Sequence, residues 1–249
     1  MLAAALADGQ TVIENAAQDP EIVNLADFIN AMGCRIYGAG TYEITIEGVD
    51  PSSLRGAIFD TIPDRLEAGT YLLAAMATRG EITIEGVNSH HLYSLISKVT
   101  EMGAEVSIFA PDTMRVRTAG LLRATDITAL PYPGFPTDLQ APIAAVLAST
   151  DGTSIITETI YENRFMHAAE LRRMGADISL KGNTAVIKAV PRLMGAEVRA
   201  TDIRCAAALV IAGLGAEGVT EITGLKHLDR GYECLESKVR SLGGELWRR

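Results

Sequence analysis

Three cysteines, four histidines and one tryptophan are all that 249 residues contain of these types. The cysteines, Cys34, Cys205 and Cys234, are odd in number and scattered, which argues against a disulfide framework and for a reducing compartment. No pair of them has metal-ligand spacing and the histidines form no metal motif, so no metal site is expected. His90 and His91 open a helical segment and read as surface residues. No apolar run approaches the about 20 residues of a membrane span. The opening "MLAAALADGQ" lacks a basic n-region and does not read as a secretory signal. Net charge is −9, which argues against nonspecific nucleic-acid binding. Neither nucleic acid nor membrane is therefore expected as a partner. An anionic ligand would need a local arginine cluster acting against the overall field.

What the sequence does have is apolar content, 48%, enough for one large or two medium domains. It also repeats. "LAAALADGQTVIENA" with "FINAMGCRI" is echoed by "LLAAMATRGEITIEGV" with "KVTEMGAEVSI". "IAAVLASTDGTSIITET" with "ELRRMGADISL", and "LVIAGLGAEGVTEITGL" with "KVRSLGGELW", give two further copies. The glycines that close the second helix of each copy are Gly33, Gly103, Gly175 and Gly243, 70, 72 and 68 residues apart. Each copy reads helix, strand, helix, strand, strand. The first helix is small and apolar, suited to burial on most sides. The second is amphipathic; in "EIVNLADFINAMG", Ile22, Leu25, Ala26, Ile29 and Met32 fall at helical spacing. Copies two, three and four are preceded by "AIFDTI", "VRTA" and "AEVRA", read as an extra element, which copy one lacks. That difference suggests a missing N-terminal portion, or else a first copy acting as a cap.

The stretch "GVDPSSLRGAIFDTIPDRLEAGTYL" carries Pro, Ser and Gly punctuation and marks a domain change at about residue 62. Residues 1–62 are read as a partial domain and 63–249 as a complete three-repeat domain. Exposed apolar surface is expected in the first part, with "MLAAALA" the segment most prone to disorder or aggregation.

One short stretch carries a chemical question. In "FPTDLQ", Thr137 has the character of a helix N-cap and Asp138 falls in the first turn. That carboxylate either complements the helix dipole or serves as an acid/base group at the mouth of a cleft.

Helix-strand repeats of this size, three to a domain, resemble the enolpyruvyl transferase family. Six segments carry the resemblance in order: "TVIENAAQDPEIVNLADFINAMG", "PDRLEAGTYLLAA", "FPTDLQ", "ITETIYENRFMH", "RATDIRCAAALVIAGL" and "HLDRGYECLESKVRSLG". They are similar to the branch that acts on a UDP-sugar rather than on shikimate phosphate. The resemblance implies an α/β fold of two inverse α/β barrels built of βαβαββ units, helices inside, with one domain incomplete here. It implies transfer of the enolpyruvyl group of phosphoenolpyruvate to the 3-hydroxyl of UDP-N-acetylglucosamine, with phosphate released. That is the first committed step of peptidoglycan synthesis, in the bacterial cytoplasm, and needs no metal or organic cofactor.

The site residues follow from the same resemblance. Asp138 matches the family's base, which hydrogen-bonds the sugar hydroxyl. Asp202 and Arg204, in "ATDIR", match a reaction-centre carboxylate and a ligand for the phosphoenolpyruvate anion; read without the resemblance, they are a capping aspartate and a solvated arginine. Arg230, in "HLDRGYE", matches a phosphoenolpyruvate ligand and a contact for the antibiotic fosfomycin, with Asp229 placed to orient it. Ile160, in "ETIYEN", matches a contact to the sugar nucleotide, and Arg164 reads as a structural ion-pair partner. The family's loop with a reactive cysteine or aspartate, and its Lys-Asn pair, are absent from this sequence. All three thiols read as packing or incidental. The sequence thus corresponds to roughly three-fifths of a full enzyme, counting about six repeats to an enzyme, and is expected to be inactive alone. Two other readings stay open: a short paralogue that binds the sugar nucleotide without catalysis, and a ring-shaped clamp. The clamp would need basic helices along a pore, and the first helices here are nearly free of charge.

Overall fold

The computed structural model describes residues 1–248. The chain divides into two compact units. One is Met1–Pro63 with Pro131–Pro133; the other is Asp64–Leu130 with the chain from Gly134 onward.

The first unit holds one copy of the repeat: α1 (Leu2–Ala5), β1 (Gln10–Glu14), α2 (Pro20–Ala31), β2 (Arg35–Tyr37) and β3 (Glu43–Glu47). Its sheet is antiparallel in the order β1-β3-β2. Ala5, Ala26, Ile29, Cys34, Ile36, Ile44 and Ile46 form its small core. α1 is a single turn, and Leu2 and Leu6 face outward with Val12, Tyr42 and Ile58. "AIFDTI" forms no strand. That segment is an extended connection whose Phe59 ring packs 5.2 Å from Phe28.

The second unit begins with α3 (Arg65–Ala77), β4 (Glu81–Glu85), α4 (Tyr93–Glu101), β5 (Glu105–Ala110) and β6 (Thr113–Arg117). Next come β7 (Ile127–Ala129), α5 (Gln140–Leu147), β8 (Thr153–Glu158), α6 (His167–Arg173), β9 (Asp177–Lys181) and β10 (Thr184–Lys188). The chain continues through β11 (Glu197–Arg199), α7 (Ile203–Gly215), β12 (Glu221–Thr223) and α8 (Leu235–Ser241). The strand before the third copy is β7, not "VRTA", whose first residues instead end β6. β7 is short and exists because it pairs in parallel with β8.

The small apolar first helices sit in the middle. α3, α5 and α7 pack on one another. Every residue of α5 is buried, as is Cys205–Ala212 of α7. The sheets lie around them, each with a buried and an exposed face, as in β6, where Met114 and Val116 point inward and Arg115 and Arg117 outward. This is an inverse α/β barrel: the alternating strands supply one apolar face only, and the all-apolar helices fill the centre. The fourth copy departs from the expected pattern. After α8 no further strand forms among the described residues, so its sheet is the parallel pair β11-β12 alone.

Candidate functional site

Asp138 lies in a 3-10 turn, Thr137–Leu139, that leads into α5. The turn is held from below. Leu139 is buried against Gly69 of α3, where a Cβ would lie 2.7 Å from Leu139 Cδ1, so any side chain there would make Leu139 shift. Thr137 does not cap the helix. Its hydroxyl donates to Glu158 Oε2 at 2.8 Å and accepts from Arg164 Nε at 3.1 Å. The hydroxyl gives its proton to Glu158, which is almost fully buried and must fill its lone pairs, and its oxygen accepts from Arg164 instead of from the local amides.

Asp202 caps α7. Its Oδ1 accepts from the backbone N–H groups of Arg204 at 2.8 Å and Cys205 at 3.1 Å. The sequence placed Asp202 at the reaction centre; the structure gives one of its oxygens to the cap, while Oδ2 receives only a 3.4 Å contact from Thr201. The cap sets the start of α7 so that Arg204 Nε reaches Asp138 Oδ1 at 2.6 Å. Arg164 Nη2 approaches the same oxygen at 3.4 Å, from the turn after β8. Two guanidinium groups therefore converge on one carboxylate oxygen. Asp138 Oδ2 makes no hydrogen bond among the described residues, and neither do the Nη groups of Arg204. Arg164 is also stacked 4.7 Å over the Tyr161 ring. The ion pair expected of Arg164 is thus made with the candidate base itself.

Ile160 is joined to this group indirectly. Its backbone N–H donates to Glu158 Oε1 at 2.8 Å, and that of Tyr161 donates to the same oxygen at 3.2 Å. Ile160 as a residue stays 44% exposed. Glu158 thus ties the Ile160 turn to the Asp138 turn through Thr137. Beneath Arg164 lies His167, buried, with Nδ1 3.2 Å from the Arg164 carbonyl. A carbonyl only accepts, so Nδ1 carries the proton. Burial pushes the His167 pKa down to about 4, and the nearby Arg164 adds to that against the opposing pull of its bond to the Arg164 carbonyl and of Asp202.

Arg230 ends the 3-10 segment Leu225–Arg230 and is exposed, with no hydrogen bond or ion pair among the described residues. Asp229 does not orient it; both carboxylate oxygens are taken by Arg248, at 2.6 and 3.0 Å. The next residue, Gly231, packs on Ile203, where a Cβ would lie 2.5 Å from Ile203 Cδ1. That contact seats the Arg230 turn on the end of α7 that carries Asp202 and Arg204. Tyr232 fixes it from the other side, its hydroxyl 2.8 Å from Thr70 of α3.

The family model of EPSP synthase (3-phosphoshikimate 1-carboxyvinyltransferase) matches residues 1–239. The chain belongs to the enolpyruvyl transferase family. Among curated relatives, it is 53% identical to UDP-N-acetylglucosamine 1-carboxyvinyltransferase of a Nostoc species over 248 residues, 100% of this chain and 55% of that protein. It is 54% identical to the Carboxydothermus hydrogenoformans protein named UDP-N-acetylglucosamine 1-carboxyvinyltransferase 2, spanning 59% of it. Among solved structures, the enolpyruvyl transferase NikO from Streptomyces tendae superposes with a TM-score of 0.87 at 28% identity, over 98% of this chain and 58% of NikO. EPSP synthase from Acinetobacter baumannii shares the fold, with a TM-score of 0.72 at 18% identity over 96% of this chain and 58% of that one. The chain spans a little over half the length of the relatives it matches. No helix is long and apolar enough to cross a membrane among the described residues.

Glu158 and His167 were not singled out in the sequence. "ITETIYEN" shows a glutamate at a strand end, which is ordinary; its burial is a tertiary fact. His167 stands within the "ENRFMH" segment but nothing local marks it as the residue under Arg164.

Proposed function

We propose that this chain carries one side of the active site of an enolpyruvyl transferase. The reaction moves the enolpyruvyl group of phosphoenolpyruvate to the 3-hydroxyl of UDP-N-acetylglucosamine and releases phosphate, in the bacterial cytoplasm. The single observation that carries this reading is Asp138, with one carboxylate oxygen held by Arg204 and Arg164 and the other open. In the proposed mechanism Oδ2 accepts the proton of the sugar hydroxyl as the hydroxyl oxygen adds to the central carbon of phosphoenolpyruvate, whose methylene carbon takes up a proton; loss of phosphate together with a proton from that carbon then restores the double bond. The two guanidinium groups hold the carboxylate in place, and the Nη groups of Arg204 meet the anion of phosphoenolpyruvate. Arg230, exposed on its turn, is the second anion ligand and the residue that fosfomycin would contact. Asp202 positions Arg204 through the cap and keeps Oδ2 for the reaction centre. Ile160 contacts the nucleotide on a backbone that Glu158 holds still.

The test joins this chain to the part of the Nostoc relative that it does not match and measures phosphate release from the two substrates. The chimera turns over, and Asp138→Asn lowers kcat by about 10²–10³, the scale of one lost transition-state contact. The chain alone releases no phosphate. An Asp138→Asn chimera as fast as its parent overturns the assignment. A chimera that binds the sugar nucleotide but never releases phosphate favours the short non-catalytic paralogue.

A further inference from the structure

Arg230 has a carboxylate directly beside it in the chain and does not pair with it. Asp229 and Arg230 are consecutive in the 3-10 segment Leu225–Arg230, and both are exposed. A carboxylate so placed has two ways to spoil an anion site. It can take the guanidinium for itself, or it can repel the incoming anion. Asp229 is engaged elsewhere. Arg248 Nη2 donates to its Oδ1 at 2.6 Å and Nη1 to its Oδ2 at 3.0 Å. Nε of the same guanidinium donates to Glu236 of α8 at 2.5 Å.

This pairing differs from an ordinary surface ion pair. A lone exposed pair holds two side chains together only weakly, whereas a bidentate fork shared between two carboxylates fixes all three groups. The Glu236 side chain is mostly covered, and those of Arg248 and Asp229 are half-exposed. The bonds from Arg248 hold the Asp229 carboxyl below the usual carboxylate range. The other contacts of the turn are of a different kind. Gly231 packs on Ile203 and the Tyr232 hydroxyl meets Thr70. They settle where the turn sits, but neither touches a charged group, so neither decides which partner Arg230 takes. Without Arg248, Asp229 and Glu236 stand uncompensated beside the Arg230 turn.

We infer that Arg248 is a positioning residue for the anion site: by occupying Asp229 it reserves Arg230 for the anion of phosphoenolpyruvate. This rests on the reading of Arg230 as an anion ligand. Arg248 acts through Asp229 and not on the substrate, since its Nε and both Nη groups are taken up by Asp229 and Glu236. Phosphoenolpyruvate carries several negative charges, so one uncompensated carboxylate beside its ligand weakens binding about tenfold at low ionic strength. Added salt reduces that factor.

Two experiments test this. The first uses the chimera with the Nostoc relative. Arg248→Ala raises KM for phosphoenolpyruvate about tenfold, the change falling on that KM and not on kcat or on KM for the sugar nucleotide. Adding Asp229→Asn brings KM back, because no carboxylate then competes for Arg230. Arg248→Lys lies between, keeping the charge and losing the fork. No rise in KM overturns the inference. So does a rise that Asp229→Asn leaves in place, since Arg248 would then merely prop the turn. Arg230→Ala separates the two ideas: if it leaves KM unchanged, the anion-ligand reading itself fails, and if it raises KM where Arg248→Ala does not, only the inference fails. The second experiment needs no turnover. Inorganic phosphate is titrated into the isotope-labelled chain while the Arg230 Nε–H resonance is followed by NMR. Arg248→Ala weakens the response and the Asp229→Asn double variant restores it. A response indifferent to both changes overturns the inference, and no response at all overturns it together with the reading of Arg230.

Discussion

Glu158→Ala removes one buried carboxylate and strands three donors: the Thr137 hydroxyl and the N–H groups of Ile160 and Tyr161. A donor left without its partner costs about 1–3 kcal/mol. Ile160 and Tyr161 are exposed enough for their amides to recover water, so they fall at the low end. Thr137 is half-buried and still receives Arg164 Nε. The sum is about 4 kcal/mol, or about 8–16 °C in thermal midpoint for a chain of this size. Glu158→Gln keeps an acceptor for the two amides but turns an N–H₂ toward a hydroxyl oxygen that already accepts from Arg164. It costs about 1–2 kcal/mol. Urea titration followed by circular dichroism orders the three proteins, wild type above Gln above Ala. An alanine variant within about 1 kcal/mol of wild type refutes the claim that this carboxylate ties the two turns together, because the price of even two unmet donors exceeds that.

Protonation of His167 gives a second test. Its folded pKa of about 4 lies below the unfolded value near 6.5, so between those values the unfolded chain takes up a proton that the fold refuses. Stability is therefore full above about pH 6.5 and falls by about 3 kcal/mol on the way to pH 4; subtracting the profile of His167→Gln isolates this loss, and parallel profiles contradict it. Gly231→Ala pushes a methyl group into Ile203 Cδ1 and costs about 1 kcal/mol, since a side-chain end can yield. Adding Ile203→Val removes the atom in the way, so the double variant recovers relative to the sum of the two single changes in a double-mutant cycle. Cys234 is exposed whereas Cys34 and Cys205 are buried with their thiols pushed up by burial. Ellman's reagent therefore reacts promptly with one thiol in the native chain and with three in urea; prompt reaction of two or more native thiols contradicts the packing.

The repeat itself was legible without coordinates. The glycines at 33, 103, 175 and 243 each follow a second helix and each has positive φ in the structure. The all-apolar first helices had only one place to go, the interior, and α5 and α7 are there. Asp138, Asp202 and Arg204 were singled out only through the family resemblance; the structure brings them close, Asp202 accepting from the Arg204 backbone N–H and Arg204 Nε donating to Asp138. What failed was pairwise. Thr137 has the chemistry of a cap and instead serves Glu158, 21 residues away. Asp229 adjoins Arg230 but binds Arg248. Side chains with several suitable partners take the one that the fold brings within reach, which sequence spacing does not report.

Strands show the same division. The alternation of "EITIE" or "TAVIK" is local chemistry and determines which face turns inward. Whether a stretch becomes a strand at all depends on a partner in space. β7 forms from three residues because β8 lies beside it, whereas "GELWR" pairs with no strand among the described residues and forms none. The sequence alone determined the repeat, the buried helices and the residue types at the site, because periodicity and apolar content act within a few residues. The tertiary structure decided which carboxylate meets which arginine and which sheet stays open, because hydrogen bonds between distant segments are settled only when those segments are brought together.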